Sequence, residues 1–397
     1  MNINQYKHEQ FFTPNIYSEL LVNLIDDIEP SVIVDIGAGD GALLRAASNR
    51  WTKAALVGID IDPLLNKQGR KDFDWFLNDS LDDGLPKVLS NKFEHIDLAI
   101  SNPPFTKIRR TKNIDKILID AGFSNLVSNS KTYASEFIFL AQNLRLLNKG
   151  ASLAIILPDG IISGERWKSL REILFANNNI QGIIELPSNA FKHTEANTHI
   201  VIIKKLDKPG KYIKLYKSNK FGTLTKPTKI TVGTAINRAD YSFYLNRKKW
   251  NNDFNDLKTV TLSELGAFVF RGKHNNAYYT KNCIDVCHTS NLSEGGIKLQ
   301  YSVQDSALTD ENYAIKGDII ISRVGTRCFN RSAFVDKGKV VVTDSVLVIR
   351  VPKKYQKLVW DAITSKSGEL SIEYISSGVC AKYITKNKLL DMPLVAQ

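Results

Sequence analysis

Val32-Ile33-Val34-Asp35-Ile36-Gly37-Ala38-Gly39-Asp40-Gly41-Ala42-Leu43-Leu44 decides how the first half of this chain folds. Val32 to Ile36 is a β-branched run of buried-strand length, and the apolar residues after Gly41 begin a helix. Between them the glycines let the backbone turn sharply and approach a ligand closely. Dinucleotide sites usually space them Gly-x-Gly-x-x-Gly, the last glycine easing the helix against a pyrophosphate. Here Gly37, Gly39 and Gly41 follow Gly-x-Gly-x-Gly, and the strand carries an acid, Asp35. S-adenosyl-L-methionine has no phosphate and bears a cationic amino-acid tail. Asp35 beside Gly37 and Gly39 suits that cofactor better than a dinucleotide.

Two further acids follow. Val57-Gly58-Ile59-Asp60-Ile61-Asp62 reads as a second strand ending in Asp60, whose planar carboxylate suits a pair of ribose hydroxyls. Asp79, in Leu77-Asn78-Asp79-Ser80, follows the next strand and is placed for an adenine amino group. One such acid is most simply a turn cap. Three at successive strand ends, one beside the glycine turn, point to a cofactor site.

Around these motifs, short apolar runs alternate with amphipathic stretches. Ser31–Ile36, Ala55–Ile61, His95–Ser101, Ala151–Leu157, Ile180–Glu185 and Thr198–Lys204 are predicted strands. Ser135–Leu147 is a predicted helix with Phe137, Leu140, Ala141, Leu144 and Leu147 on one face. This alternation predicts an α/β, Rossmann-like domain on a mostly parallel sheet over residues 1–206. From 207 to 256 lysines, asparagines, Pro209 and Pro227 become frequent and helical periodicity fades, which predicts a connecting region. Short strands return from 257 to 397 (Ala267–Phe270, Asp318–Val324, Val340–Val351), with a helix near Lys354–Ser365, as in a smaller α+β domain.

Ile100-Ser101-Asn102-Pro103-Pro104-Phe105 is the most informative stretch for chemistry. Two prolines stiffen a loop whatever its purpose, but they do not explain the Asn and the aromatic beside them. The lone pair of a base's exocyclic amine is delocalised into the ring, so the amine is a poor nucleophile. The Asn102 side-chain oxygen and the Pro103 carbonyl can each accept one amino N–H, favouring a pyramidal nitrogen. Prolines hold both acceptors in place, so little reorganisation is needed. Phe105 offers a flat face to a base that has left the duplex.

Over 397 residues the net charge is +12 and the pI about 9.3, which is compatible with a polyanionic partner. The four cysteines, Cys283, Cys287, Cys328 and Cys380, all lie in the last third. Cys283, Cys287 and His288 lack the second ligand pair of a structural zinc site, so no metal is expected. None of the cysteines adjoins the catalytic motif, which argues against the cysteine-nucleophile chemistry of 5-methylcytosine enzymes. The polar start, with Lys7, His8 and Glu9, does not read as a signal peptide, and runs such as Leu153–Leu157 are too short to cross a bilayer. A cytoplasmic, nucleoid-associated protein of a prokaryote is expected.

With these residues in view, the chain resembles the gamma group of N6-adenine DNA methyltransferases, which includes modification subunits of type I restriction systems. The resemblance runs over about residues 8–205. It starts at Gln10-Phe11-Phe12-Thr13-Pro14, ahead of the glycine-rich strand, and continues through Asp35–Gly41, Asp60, Asp79 and Asn102–Phe105. Ile155-Ile156-Leu157-Pro158-Asp159-Gly160 looks like the family's later strand and loop. The segment Glu185-Leu186-Pro187 through Phe191, Thr194 and Thr198 looks like the one that brings a second aromatic to the flipped base. The resemblance gives cofactor contacts to Thr13, Asp35, Gly37, Asp60, Ile61, Asp79 and Ser80, and base contacts to Asn102, Pro103, Phe105 and Phe191. Ser80 departs from the aromatic or aliphatic residue common there.

Residues from about 260 to 397 look like a target-recognition domain of type I specificity subunits, through Lys316 to Thr326 and the ending Ile384 to Pro393. Arg271, Lys273, Arg323, Arg327 and Arg331 are the predicted DNA contacts there, with Lys107, Arg109 and Arg110 beside the catalytic motif. The expected partners are double-stranded DNA and a specificity or restriction subunit. Rival readings are methylation of an RNA base or a protein glutamine, and a non-catalytic DNA-binding subunit that keeps the cofactor fold.

Overall fold

The structure, a computed structural model, describes residues 13–63, 73–188, 190–191, 197–205, 208–254, 258–301, 311–325, 330–376 and 383–395. The chain divides into two compact units, Met1–Ser242 and Phe243–Gln397.

The first unit is built on a nine-stranded sheet. In chain order its strands are β1 (Val32–Ile36), β2 (Ala55–Asp60), β3 (Asp74–Leu77) and β4 (Leu98–Ser101). A small ribbon outside the sheet, β5 (Lys107–Arg109) with β6 (Thr132–Ala134), comes next. Then follow β7 (Ser152–Pro158), β8 (Asn179–Glu185), β9 (Thr198–Lys204), β10 (Tyr212–Lys217) and β11 (Thr228–Thr231). Their order across the sheet is β11-β10-β8-β9-β7-β4-β1-β2-β3. Strands β3, β2, β1, β4 and β7 run parallel, and β8 pairs parallel with β10. Strand β9 is antiparallel to both of its neighbours, as β11 is to β10.

Burial explains why these runs are strands. Every residue of β1 and β4 is buried, as expected of parallel strands covered on both faces. Leu43, Leu44 and Ala47 of the Ala42–Arg50 helix pack with Leu98, Ile100, Ala154 and Ile156 in the central core. The predicted sheet is therefore observed, and Thr198–Lys204 matches the predicted strand at both ends.

The topology also sets where a ligand can sit. β1 is followed in sequence by its neighbour β2, whereas β4 joins on the other side of β1. Chain order thus reverses between β1 and β4, and ligands of such sheets bind at the carboxyl ends of the strands flanking that point.

The region predicted to connect two domains differs. Residues 212–217 and 228–231 are strands that extend the sheet, and the unit boundary falls at Ser242. Ile213, Leu215 and Ile230 are buried on the inner side, so this segment has a core face that its lysines obscure in the sequence.

The second unit centres on an antiparallel sheet that includes Phe268–Arg271, Val346–Arg350, Ile319–Ser322 and Arg331–Lys337. Helices Gln356–Thr364 and Lys366–Ile375 supply Val359, Ile363 and Ile372 to its core with Ile319, Leu347 and Ile349. The predicted strand Val340–Val351 is two strands in different sheets, Lys339–Val342 and Val346–Arg350, broken at the polar Thr343-Asp344-Ser345. Among the described residues no helix is long and apolar enough to cross a membrane.

Candidate active site

The glycine turn leaves β1 with Gly37, Gly39 and Gly41 all at positive φ (72°, 54° and 76°). Such φ values are strained for residues with a Cβ. At Gly37 space forbids one as well, because an added Cβ would lie 2.9 Å from Cε1 of Phe139. The turn is tied to β2 through Ile59, whose carbonyl accepts from the amides of Gly37 (2.8 Å) and Ala38 (3.0 Å).

Asp60 does more than sequence reasoning gave it. Its Oδ2 accepts from the Gly39 amide at 2.8 Å, and its Oδ1 from the Asp62 amide at 3.0 Å. The buried carboxylate therefore fastens the glycine turn to the end of β2 while each oxygen keeps a further lone pair.

Asp35 is buried, and its Oδ1 accepts no hydrogen bond. Burial, with Asp60 and Asp40 nearby, pushes its carboxyl well above the usual carboxylate range. An orphaned acceptor is costly in a folded interior, and a cationic group brought beside it would relieve that cost. The residues present thus fit a cofactor with a positively charged tail.

The remaining predicted cofactor residues divide. Ile61, next to Asp60, is 55% exposed, so it presents an apolar face at the strand end. Leu77, its neighbour's partner across β2 and β3, is 54% exposed and escaped sequence reasoning. Asp79 is exposed and accepts from the Leu81 amide at 2.9 Å, holding the loop after β3. Ser80 is buried, and its carbonyl accepts from Nε2 of Gln142. Gln10 to Phe12 and Thr194 lie outside the described residues.

The Asn102–Phe105 loop leaves β4. Asn102 Nδ2 donates to Thr13 Oγ1 at 2.9 Å, which assigns its amide nitrogen to Thr13 and its oxygen to accepting. Thr13, predicted only as a cofactor contact, also holds the Asn102 amide. A small cavity of about 30 Å³ opens between the two loops, lined by Thr13, Gly37, Gly39, Asp40 and Asn102. Two larger cavities, of about 450 and 340 Å³, lie at the amino ends of the strands, away from this chemistry.

One helix supports these loops. Ser135, at the start of Ser135–Leu146, donates through its hydroxyl to the Pro104 carbonyl and accepts from the Thr106 amide at 2.8 Å. Phe139, one turn on, fills the space beneath Gly37. Gln142 donates to the carbonyls of Ser80 (3.1 Å) and Asp82 (2.7 Å). Arg145 reaches the Asp83 carbonyl at 3.0 Å. Positions 135, 139, 142 and 145 fall on one face by helical spacing.

Phe105 is half-buried and packs against the core cluster that contains Tyr17 and Phe191. Phe191 is only 5% exposed and lies 6.2 Å from Tyr17, ring to ring. It is therefore a core residue here and presents no open face to a base. Directly after β7, burial raises Asp159 to about 6, and its carboxylate accepts from the Ser163 hydroxyl at 2.6 Å.

The predicted DNA-contacting residues divide too. Lys107 and Arg109 are exposed at alternate positions of β5, hence on one side of the ribbon. Arg110 is paired: Asp115 accepts from its Nε at 2.9 and 3.0 Å and from Nη2 at 2.8 Å. In the second unit Arg271 and Lys273 are exposed. Arg323 is half-buried and donates to the Asp344 carbonyl at 2.7 Å, and Arg331 sits opposite Glu294. Arg327 lies outside the described residues.

A model of the N-6 DNA Methylase family matches residues 2–234. The Escherichia coli protein described as type I restriction enzyme EcoEI methylase subunit is 26% identical over 227 residues, 52% of this chain and 44% of that protein. The MpnII methylase subunit of Mycoplasma pneumoniae is 23% identical over 231 residues, 49% of this chain and 40% of that protein. The chain thus spans less than half the length of these curated relatives. Among solved structures, the type IIG restriction endonuclease BpuSI superposes with a TM-score of 0.54 at 13% identity, covering 99% of this chain and 60% of that one. That likeness is one of fold. The family model covers more than half of the sequence, including the glycine turn and the Asn-Pro-Pro-Phe loop, and the chain belongs to the N-6 DNA Methylase family.

Proposed function

We propose that this protein transfers a methyl group from S-adenosylmethionine to N6 of an adenine flipped out of duplex DNA, as the modification component of a restriction–modification system. The observation that carries the reading is the placement of Asn102 and the glycine turn on either side of one cavity at the sheet's reversal point.

When bound, S-adenosylmethionine supplies an electrophilic methyl group on a sulfonium. Asp35 would hold its cationic tail, Asp60 its ribose and Ile61 one face of its adenine. The Asn102 oxygen and the Pro103 carbonyl accept the two amino hydrogens of the target adenine and free its nitrogen lone pair from the ring. Thr13, bonded to the Asn102 amide, and Ser135, bonded to the Pro104 carbonyl, brace the loop that carries these acceptors before substrate arrives, so their alignment costs little at the transition state. Phe105 stacks the extruded base, with the Tyr17–Phe191 core behind it.

Lys107 and Arg109 would contact phosphates beside the target. The second unit would act as the recognition domain, with Arg271, Lys273, Arg323 and Arg331 as its basic contacts, either alone or with a separate specificity or restriction subunit. The test is single-molecule sequencing of plasmid DNA from a methylation-free host expressing this chain alone. N6-methyladenine at one recurring motif is expected. A plasmid unmodified even when candidate partner subunits are co-expressed overturns the proposal.

A further inference from the structure

We infer that the β10–β11 hairpin is a second DNA-contacting surface, which grips the phosphate backbone of the duplex beside the flipped base. The inference rests on the reading of the protein as a DNA methyltransferase and goes beyond it in naming where the backbone is held.

Residues 208–231 contain seven lysines and no acidic residue. Lys217 is neutralised by Glu185 at 2.8 Å, but Lys208, Lys211, Lys214, Lys220, Lys226 and Lys229 are all exposed. Lys214 lies directly opposite Lys229 across the antiparallel pair. Like charges so placed destabilise a hairpin. A polyanion laid across them turns that repulsion into attraction and releases counterions.

Two aromatics stand among these lysines. Phe221 is 70% exposed at the hairpin tip, with Lys220 Nζ 4.9 Å above its ring. Tyr212 is 49% exposed, with Lys211 Nζ 5.4 Å from its ring. Alternating cations and aromatic faces suit a nucleic-acid strand.

The direction of the strands puts this tip on the catalytic side. β10 runs parallel to β8, with Lys217 beside Glu185 at the carboxyl end, so the turn projects past the same sheet edge as Asn102. A Cβ added to Gly222 would lie 3.4 Å from Ile16 Cγ1, in the helix that begins two residues after Thr13. Leu224 packs on the core cluster holding Tyr17 and Phe191. The tip therefore stands next to the residues that frame the catalytic loop.

Lysine also protects sheet edges from pairing with other chains, and β11 is an edge strand. Edge protection explains one or two charges. It does not explain six exposed lysines in a stretch of sequence that holds no acidic residue, or a phenylalanine left in solvent at the tip.

The test compares the 397-residue chain with a Lys214→Ala/Lys220→Ala/Lys229→Ala triple variant, the matching triple Lys→Arg variant, and Phe221→Ala. Duplex binding is measured across a salt series, with KM and kcat for methylation measured in parallel. The triple alanine variant should lower the slope of log K against log salt by about 2–3. It should raise KM for DNA at least about tenfold and leave kcat at saturating DNA near wild type. The arginine variant should restore both, and Phe221→Ala should weaken binding without changing the slope. If wild type methylates duplex DNA while the triple variant keeps its slope and KM, this inference fails alone. If wild type neither binds nor methylates duplex DNA, the proposed function fails and this inference with it.

Discussion

Thr13 Oγ1 accepts a 2.9 Å hydrogen bond from Nδ2 of Asn102, joining the entry to the first helix with the catalytic loop 89 positions later. The bond orients the amide whose oxygen we propose accepts from the target amine.

Thr13→Val removes the acceptor and leaves the Asn102 amide without that anchor. Single-turnover methyl transfer should slow about 10–100-fold, corresponding to roughly 1.4–2.7 kcal/mol, whereas Thr13→Ser should stay near wild type. Asn102→Ala should abolish measurable transfer yet bind cofactor normally by calorimetry. Wild-type turnover by Asn102→Ala would refute the assignment.

Asp35 gives a pH signature. Its carboxyl is raised in the folded state, so the native protein holds its proton at pH values where the unfolded chain has lost it. The stability this confers is complete below the ordinary Asp range near 4, and is lost as pH rises through the raised folded value. Thermal melts of the cofactor-free protein should show that decline, and Asp35→Asn should remove it. Binding of a cationic cofactor favours the ionised form, so wild type should release up to about one proton on binding. Calorimetry in buffers of different ionisation enthalpy reads this directly. Identical proton release by Asp35→Asn would rule the residue out.

Gly37→Ala meets two obstacles, a φ of +72° and a Cβ 2.9 Å from Phe139. The backbone term alone costs about 1–2 kcal/mol, so the melting temperature should fall by about 2–8 °C, with weaker cofactor binding. Gly37→Ala/Phe139→Leu should recover the steric part but not the backbone part. Full recovery would mean that φ at this position carries no strain.

Basic residues in the two units should fail differently. Arg271→Ala should relax sequence preference at one base pair by about 1–3 kcal/mol, measured across a panel of single-mismatch duplexes. Lys107→Ala and Arg109→Ala should weaken every duplex alike and flatten the salt dependence. A uniform loss from Arg271→Ala would place that residue on phosphate.

The sheet was legible because strands buried on both faces leave runs rich in β-branched residues, as in Val32–Ile36 and Thr198–Lys204. β10 and β11 were not, since their buried apolar residues Ile213, Leu215 and Ile230 are scattered through a stretch rich in lysine. The two site loops declared themselves through glycine and proline, whose backbone limits are local. Their supports did not. No spacing reveals that Ser135, Phe139 and Gln142 face three separate loops, that Asp115 holds Arg110, or that Phe191 turns toward Tyr17. Such relations exist only once distant segments have met.

The helix Ser135–Leu146, which braces the catalytic loop, the glycine turn and the loop after β3, has an evolutionary consequence. Drift along its inner face cannot tune cofactor affinity and methyl transfer independently, because a tilt at one end displaces all three loops. Substitutions at 135, 139 and 142 should therefore be inherited in compensating sets, and laboratory selections for altered turnover should find their second mutations there.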